Sequence, residues 1–136
     1  GKARIRSCDG SMTLTFKGPR RKFTRSEYHI PVSQSEAVSM IAEFSPGPGL
    51  RKRRHEVYVD RILWQVDEYM GSLAGIVTAD AEIPTEDHAL VVPTWAGMEI
   101  TGDNRFSSAL FAEAVEHQGE RLRRLVNLCK LNGQLE

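Results

Sequence analysis

Charged residues spaced two apart recur in segments that otherwise read as β-strands: Arg4 and Arg6, Lys17 behind Thr15, Arg25 with Glu27 and His29, Lys52 and Arg54, Asp80 and Glu82. Residues i and i+2 of a strand project from one face, so each segment carries its charges on one side and its apolar residues on the other. Any antiparallel sheet can turn polar residues to solvent. Here the pattern recurs on five segments and is sorted by sign, with cations on most strands and a carboxylate pair on a later one. That is the lining a bound polyanion with a metal ion requires.

A triphosphate suits such a surface, because it carries several negative charges along a short chain and Arg forks match phosphate oxygens two at a time. A partly shielded charge pair at about 4 Å is worth roughly 4 kcal/mol before desolvation is subtracted. Asp80 and Glu82 offer hard oxygen ligands, which favour Mg²⁺ or Mn²⁺ over zinc. Such an ion would bridge phosphate oxygens and orient a water for in-line attack on the terminal phosphorus.

The 136 residues carry 18 Lys and Arg against 18 Asp and Glu, a formal net charge of zero. A neutral chain is not drawn in bulk to nucleic acid or to an anionic membrane. The charge is nevertheless uneven: most cations precede residue 62, and the segment from Asp67 to Asp103 is acidic. The basic runs Arg20 to Lys22 and Arg51 to Arg54 could form a nucleic-acid patch, but few aromatic residues are interleaved with them. Cys8 and Cys129 lie far apart without metal-ligand spacing and read as buried or incidental thiols of a reducing compartment. With no apolar run of membrane-spanning length and no signal-peptide pattern at the start, a cytoplasmic protein is expected. The length suits one domain spanning residues 1–136, and it leaves room for a homodimer.

Turn and periodicity signals place the elements that must position these charges. Ala3 to Cys8 and Met12 to Lys17 form a hairpin around Asp9-Gly10, and Phe23 to Ile30 a third strand. Ser33-Gln34-Ser35-Glu36 is a capping box, opening a short helix whose Ala37, Val38, Met40, Ile41 and Phe44 give a buried stripe before a Pro/Gly stop. Leu50 to Val59 and Ile62 to Tyr69 pair around Asp60-Arg61, and Leu73 to Ile83 adds a further strand. Trp95 to Thr101 is a last short strand or turn. Residues 107–136 are a helical segment: Ser107 to Glu116, then an amphipathic helix from Gly119 to Leu131 with Leu122, Leu125, Val126 and Cys129 at helical spacing. The predicted fold is α+β, an antiparallel β-barrel with helices packed outside and the charged face enclosed.

Three stretches then carry a resemblance: Val66-Asp67, Gly75 to Ile83, and above all Pro93-Thr94-Trp95-Ala96-Gly97-Met98-Glu99-Ile100-Thr101-Gly102-Asp103. They resemble the CYTH family, the triphosphate tunnel metalloenzymes, which include inorganic triphosphatases, thiamine triphosphatases and class IV adenylate cyclases. The resemblance runs in order from Arg4 to about Leu110. It implies that Arg4 and Arg6 are the family's RxR, Lys17 its LTxKG lysine, Arg25-Ser26-Glu27 the start of its RxExE strand, and Lys52 and Arg54 its later KxR. These cations would bind triphosphate, Asp80 and Glu82 would hold the metal, and Glu99 would lie in the WxGxE element that closes the tunnel. Two departures accompany it. The family's N-terminal ExExK strand has no counterpart before Gly1, so a domain short of that strand is expected. His29 stands where the family often has a second glutamate, as a wall residue or a neutral ligand.

The expected activity is metal-dependent hydrolysis of a triphosphate, most simply inorganic tripolyphosphate, with Glu27 or Glu99 orienting the water. The alternatives are a module that binds a triphosphate or polyphosphate without hydrolysing it, and the cyclase or thiamine triphosphatase activities of the same family.

Overall fold

The computed structural model describes residues 2–22, 24–117 and 120–133. The chain divides into two compact units, residues 1–47 and 48–136.

In the first unit, β1 (Lys2–Cys8), β2 (Ser11–Lys17) and β3 (Glu27–Val32) form an antiparallel sheet in chain order. The β1–β2 turn is the two residues Asp9 and Gly10, both at positive φ, 48° and 81°. That backbone matches the twist of a hairpin, and Asp and Gly tolerate it best. The third strand begins later than its alternation suggested. Residues 18–26 first fold back on themselves through Gly18 N–H to the Ser26 carbonyl and a bridge between Arg21 and Thr24. The strand then runs past Ile30 and includes Pro31, which β3 tolerates as an edge strand with no ladder on its outer side.

The helix α1 (Gln34–Phe44) opens on the predicted capping box. Ser33 Oγ accepts from the Glu36 N–H, and the Glu36 carboxylate accepts from the Ser33 N–H at 2.9 Å. The expected buried stripe is not found: Ala37 alone is buried, and Val38, Ile41 and Phe44 are exposed. A unit of this size has little interior to offer. The apolar face of its sheet shares the exposure at Phe16, Tyr28 and Ile30.

In the second unit, β4 (Lys52–Val59), β5 (Ile62–Tyr69) and β6 (Val77–Glu82) form another antiparallel sheet in chain order. The strand expected from Leu73 starts only at Val77. Gly71–Leu73 turns as a 3₁₀ segment, and Ile76 N–H bonds the Leu73 carbonyl before the strand begins. From Trp95 to Thr101 the chain turns and adds no strand. Its Trp95 ring meets the buried Trp64 edge-on, with centroids 5.7 Å apart. The core is Tyr69, Leu73, Ile76, Phe111 and Val115, with Tyr69 and Phe111 edge-to-face at 4.9 Å. It is completed by α2 (Ser108–Glu116) and by Leu122, Leu125 and Val126 of α3 (Glu120–Gly133), as the helical spacing implied. The Cys129 side chain of that stripe lies outside the described residues.

The mixed class, with antiparallel strands and helices, is as expected. Among the described residues the ladders end at two three-stranded sheets, and barrel closure needs ladders on the edges β1, β3, β4 and β6. No described helix is long and apolar enough to cross a membrane. Cys8, expected to be a buried or incidental thiol, is exposed.

The β4–β5 turn gives a direct test of local strain. Asp60 and Arg61 both sit at positive φ, 49° and 64°, which costs an ordinary side chain about 1 kcal/mol or more. Arg61→Gly should therefore stabilise the chain by about 0.5–1 kcal/mol in urea unfolding.

Candidate functional site: two charged sheet faces

Strand register decides which side chains share a face. In the first unit the rows Lys2–Lys17–Glu27, Arg4–Thr15–His29 and Arg6–Thr13–Pro31 alternate with Ala3–Phe16–Tyr28 and Ile5–Leu14–Ile30. The charges therefore occupy one face and the apolar residues the other, as the spacing of two required. Arg4, Arg6, Lys17, Glu27 and His29 are brought together. Arg25 lies just before β3 and still reaches this face, its Nε 3.2 Å from Glu27 Oε1.

Glu27 gathers the cluster. Lys17 Nζ lies 3.0 Å from its Oε1, and His29 Nε2 lies 3.7 Å from its Oε2. The hydrogen bond from Lys17, with the charges of Lys17 and Arg25, holds the Glu27 carboxyl below its usual range against a smaller opposing effect of desolvation. Lys17 is shifted too. Partial burial, then the positive charges of Arg4 and Arg25, pull its pKa below 10.5 against the support of Glu27. It is a cation crowded by other cations. The buried Thr15 hydroxyl fixes the His29 ring through a 2.9 Å bond to Nδ1. Arg6, Cys8, Thr13, Thr15 and His29 line a shallow groove of about 410 Å³.

The second unit repeats the arrangement with different chemistry. The rows Lys52–Tyr69, Arg54–Asp67–Thr78, Glu56–Gln65–Asp80 and Tyr58–Leu63–Glu82 lie on one face. Lys52, Arg54, Asp80 and Glu82 therefore share it. At its centre is Asp67, 2% exposed. Arg54 donates to it twice, from Nε at 2.7 Å and Nη2 at 2.8 Å, and donates from Nη1 to Gln65 Oε1 at 2.8 Å. Lys52 Nζ donates to the same carboxylate at 2.5 Å and lies over the Tyr69 ring. Burial pushes the Asp67 carboxyl up, and the bonds and charges of Arg54 and Lys52 outweigh it, leaving the group below the usual carboxylate range. Arg54 is raised in turn by that bond and by the charges of Asp67 and Asp80.

Asp67, quoted above within the family resemblance, was given no role by sequence reasoning. Its parity within β5 was readable, but its place opposite Arg54 depends on the hairpin register. Glu99, expected in the WxGxE element, lies exposed in the turns after Pro93.

Asp80 and Glu82 stand one strand repeat apart on the same face, both exposed. Among the described residues no group of three or more His, Cys, Asp or Glu is assembled for a metal. Two carboxylates nevertheless fit Mg²⁺, an ion usually bound through one or two carboxylates, retained waters and substrate phosphates.

Comparison with curated proteins agrees with this chemistry. The chain is 32% identical over 103 residues to an inorganic triphosphatase of Acetivibrio thermocellus, a match covering 76% of this chain and 66% of that protein. The chain is similar to inorganic triphosphatases. A second one, from Nitrosomonas europaea, is 27% identical over 107 residues, covering 76% of this chain and 68% of its own length. The chain thus spans about two thirds of the triphosphatases it matches. No family model matches it, and no solved structure matches it.

Asp67→Asn removes the charge that neutralises two partly buried cations. Breaking a buried pair costs about 3–5 kcal/mol; because Lys52 and Arg54 keep some solvent, roughly 2–3 kcal/mol is expected here in urea unfolding at pH 7. The Asp67 contribution is present above the ordinary carboxylate pKa and is lost as pH falls through its depressed value. The gap between wild type and variant should therefore narrow below about pH 4.

Proposed function

We propose that this chain is a metal-dependent triphosphatase of the CYTH type, acting on inorganic tripolyphosphate. The observation that carries the reading is the 32% identity to an inorganic triphosphatase over 103 residues. The two charged faces support it by supplying the groups such a reaction needs. Arg4, Arg6, Lys17 and Arg25 of the first unit and Lys52 and Arg54 of the second are assigned to phosphate oxygens, for which Arg forks give paired, charge-assisted bonds.

Each role follows from the state in which a residue is held. Lys17, crowded by Arg4 and Arg25, gains a favourable partner when an anion arrives. Arg54, fixed by Asp67 and Gln65, presents a pre-oriented charge, and little reorganisation is then needed as charge develops on the leaving phosphate. Glu27 is kept ionised by Lys17 and Arg25, which suits it to orient a water by accepting its hydrogen bond. Glu99, exposed in its turn, is assigned the same task on the family pattern alone. Water attacks the terminal phosphorus, the bridging P–O bond breaks, and orthophosphate and diphosphate leave while the water's proton passes to solvent. Asp80 and Glu82 are assigned to Mg²⁺ or Mn²⁺, which when bound neutralises phosphate oxygens as a Lewis acid.

Phosphate release from tripolyphosphate, ATP and thiamine triphosphate, with Mg²⁺ or Mn²⁺, tests the reading. Tripolyphosphate should turn over fastest, and Asp80→Asn with Glu82→Gln should lower turnover at least 100-fold while metal-free tripolyphosphate binding persists. Unchanged turnover would remove these carboxylates from the mechanism; binding without any turnover by the wild type would make the chain a binding module.

Lys17 adds a pH signature. Its protonated form binds the anion, so tripolyphosphate affinity should fall as pH rises through its lowered pKa. Lys17→Arg, charged throughout, should flatten that alkaline limb in calorimetric titrations.

A further inference from the structure

The proposed reaction leaves His29 of β3 without a task, yet its ring is anchored to the interior of the sheet. Its Nδ1 lies 2.9 Å from the hydroxyl of Thr15, its ladder partner on β2, and Thr15 is 1% exposed. The other ring nitrogen, Nε2, lies 3.7 Å from Glu27 Oε2, too far for a hydrogen bond. Arg6, Cys8, Thr13, Thr15 and His29 together line the groove of about 410 Å³ on the charged face.

The buried hydroxyl decides where the ring carries its hydrogen. Thr15 has one hydrogen to donate and two lone pairs to offer, and among the described residues Nδ1 is its hydrogen-bond partner. Were the hydroxyl to accept from an Nδ1–H, its own hydrogen would be left buried and unpaired, at the desolvation cost of an orphaned donor. Donating to Nδ1 pairs that hydrogen and leaves idle only acceptor capacity, which buried groups tolerate better. Nδ1 is then the acceptor, and the neutral ring carries its hydrogen on Nε2. The Glu27 carboxylate, on the Nε2 side, attracts the same hydrogen. An Nε2 that holds a hydrogen has no lone pair to give a metal ion. It is a neutral N–H donor.

We propose that this groove seats one phosphoryl group of the triphosphate, with the Nε2–H of His29 donating to a phosphate oxygen and Thr15 fixing the tautomer that donates. The inference rests on the triphosphate reading of the face and adds to it a binding residue, His29, and a positioning residue, Thr15. A neutral donor suits a face already crowded with cations, because it gives a directed bond without adding to the repulsion among Arg4, Lys17 and Arg25. Glu27 does not bar the approach of an anion, since Lys17 at 3.0 Å and Arg25 at 3.2 Å offset its charge.

Long-range ¹H–¹⁵N spectra of the imidazole rings read the tautomer directly at about pH 8, where the neutral ring is the ordinary form. The His29 signals are assigned by their loss in His29→Gln. The hydrogen should lie on Nε2 in the wild type; Thr15→Val should release the ring into a mixture of tautomers, and Thr15→Ser should not. On addition of tripolyphosphate without metal, the Nε2–H signal should shift saturably. Calorimetric titration of the same ligand should place His29→Gln, which keeps a neutral donor of similar reach, within about threefold of the wild type. His29→Leu should bind about tenfold more weakly, the scale of one hydrogen bond to a charged group.

A hydrogen on Nδ1 in the wild type overturns the inference, as does an Nε2–H signal unmoved at saturation; both readouts use the wild type and hold even where a variant fails to fold. Equal affinities of the Gln and Leu variants overturn the donor role as well. In each of these cases tripolyphosphate binding by the wild type leaves the triphosphate reading standing. No tripolyphosphate binding by the wild type overturns that reading and the phosphoryl seat with it.

Discussion

A carboxylate buried against two cations, Asp67 beneath Lys52 and Arg54, is the interaction on which the charged face of the second unit depends. Withdrawing any of these charges from water is costly, and only mutual neutralisation with well-formed hydrogen bonds makes it tolerable. Asp67 uses both carboxylate oxygens, and Arg54 spends its remaining edge on Gln65. The result is a guanidinium and an ammonium fixed in position on a strand face, close to the hydrophobic core through Tyr69, whose ring packs on Phe111 and lies beneath Lys52. Core packing and site geometry are thus coupled through one residue pair in the hairpin.

The first unit solves the same problem with less burial. Glu27 is one-third exposed and collects Lys17, Arg25 and His29 at longer distances, between 3.0 and 3.7 Å. Such contacts are screened and individually weak. Its cations outnumber its carboxylates, while the face of the second unit carries Lys52 and Arg54 against the carboxylates of Glu56, Asp67, Asp80 and Glu82. The contrast follows from which strand positions carry acids, and therefore from sequence.

Much of this was legible in the chain. The two hairpin turns, the capping box and the sorting of charge onto one strand face are local properties, set within a few residues by backbone preference and a period of two. What failed to read out was what alternation and spacing do not encode. The start of β3 depends on a loop folding onto itself, and that of β6 on a 3₁₀ turn inside an apolar run that alternation could not exclude. Val38, Ile41 and Phe44 have the spacing of a buried stripe, but spacing cannot say whether a surface exists to receive it. The pairing of Asp67 with Arg54 shows only in the hairpin register.

The claim underlying all of this is that specific arginines receive the anion. It is tested most directly by following arginine Nε–Hε signals in ¹⁵N-resolved magnetic resonance spectra as tripolyphosphate is added. Saturable shifts at Arg4, Arg6, Arg25 and Arg54, with Arg123 and Arg124 of α3 unmoved, are expected. Small uniform shifts at all arginines, or an Arg54 signal unchanged in its bonds to Asp67 at saturation, would contradict it.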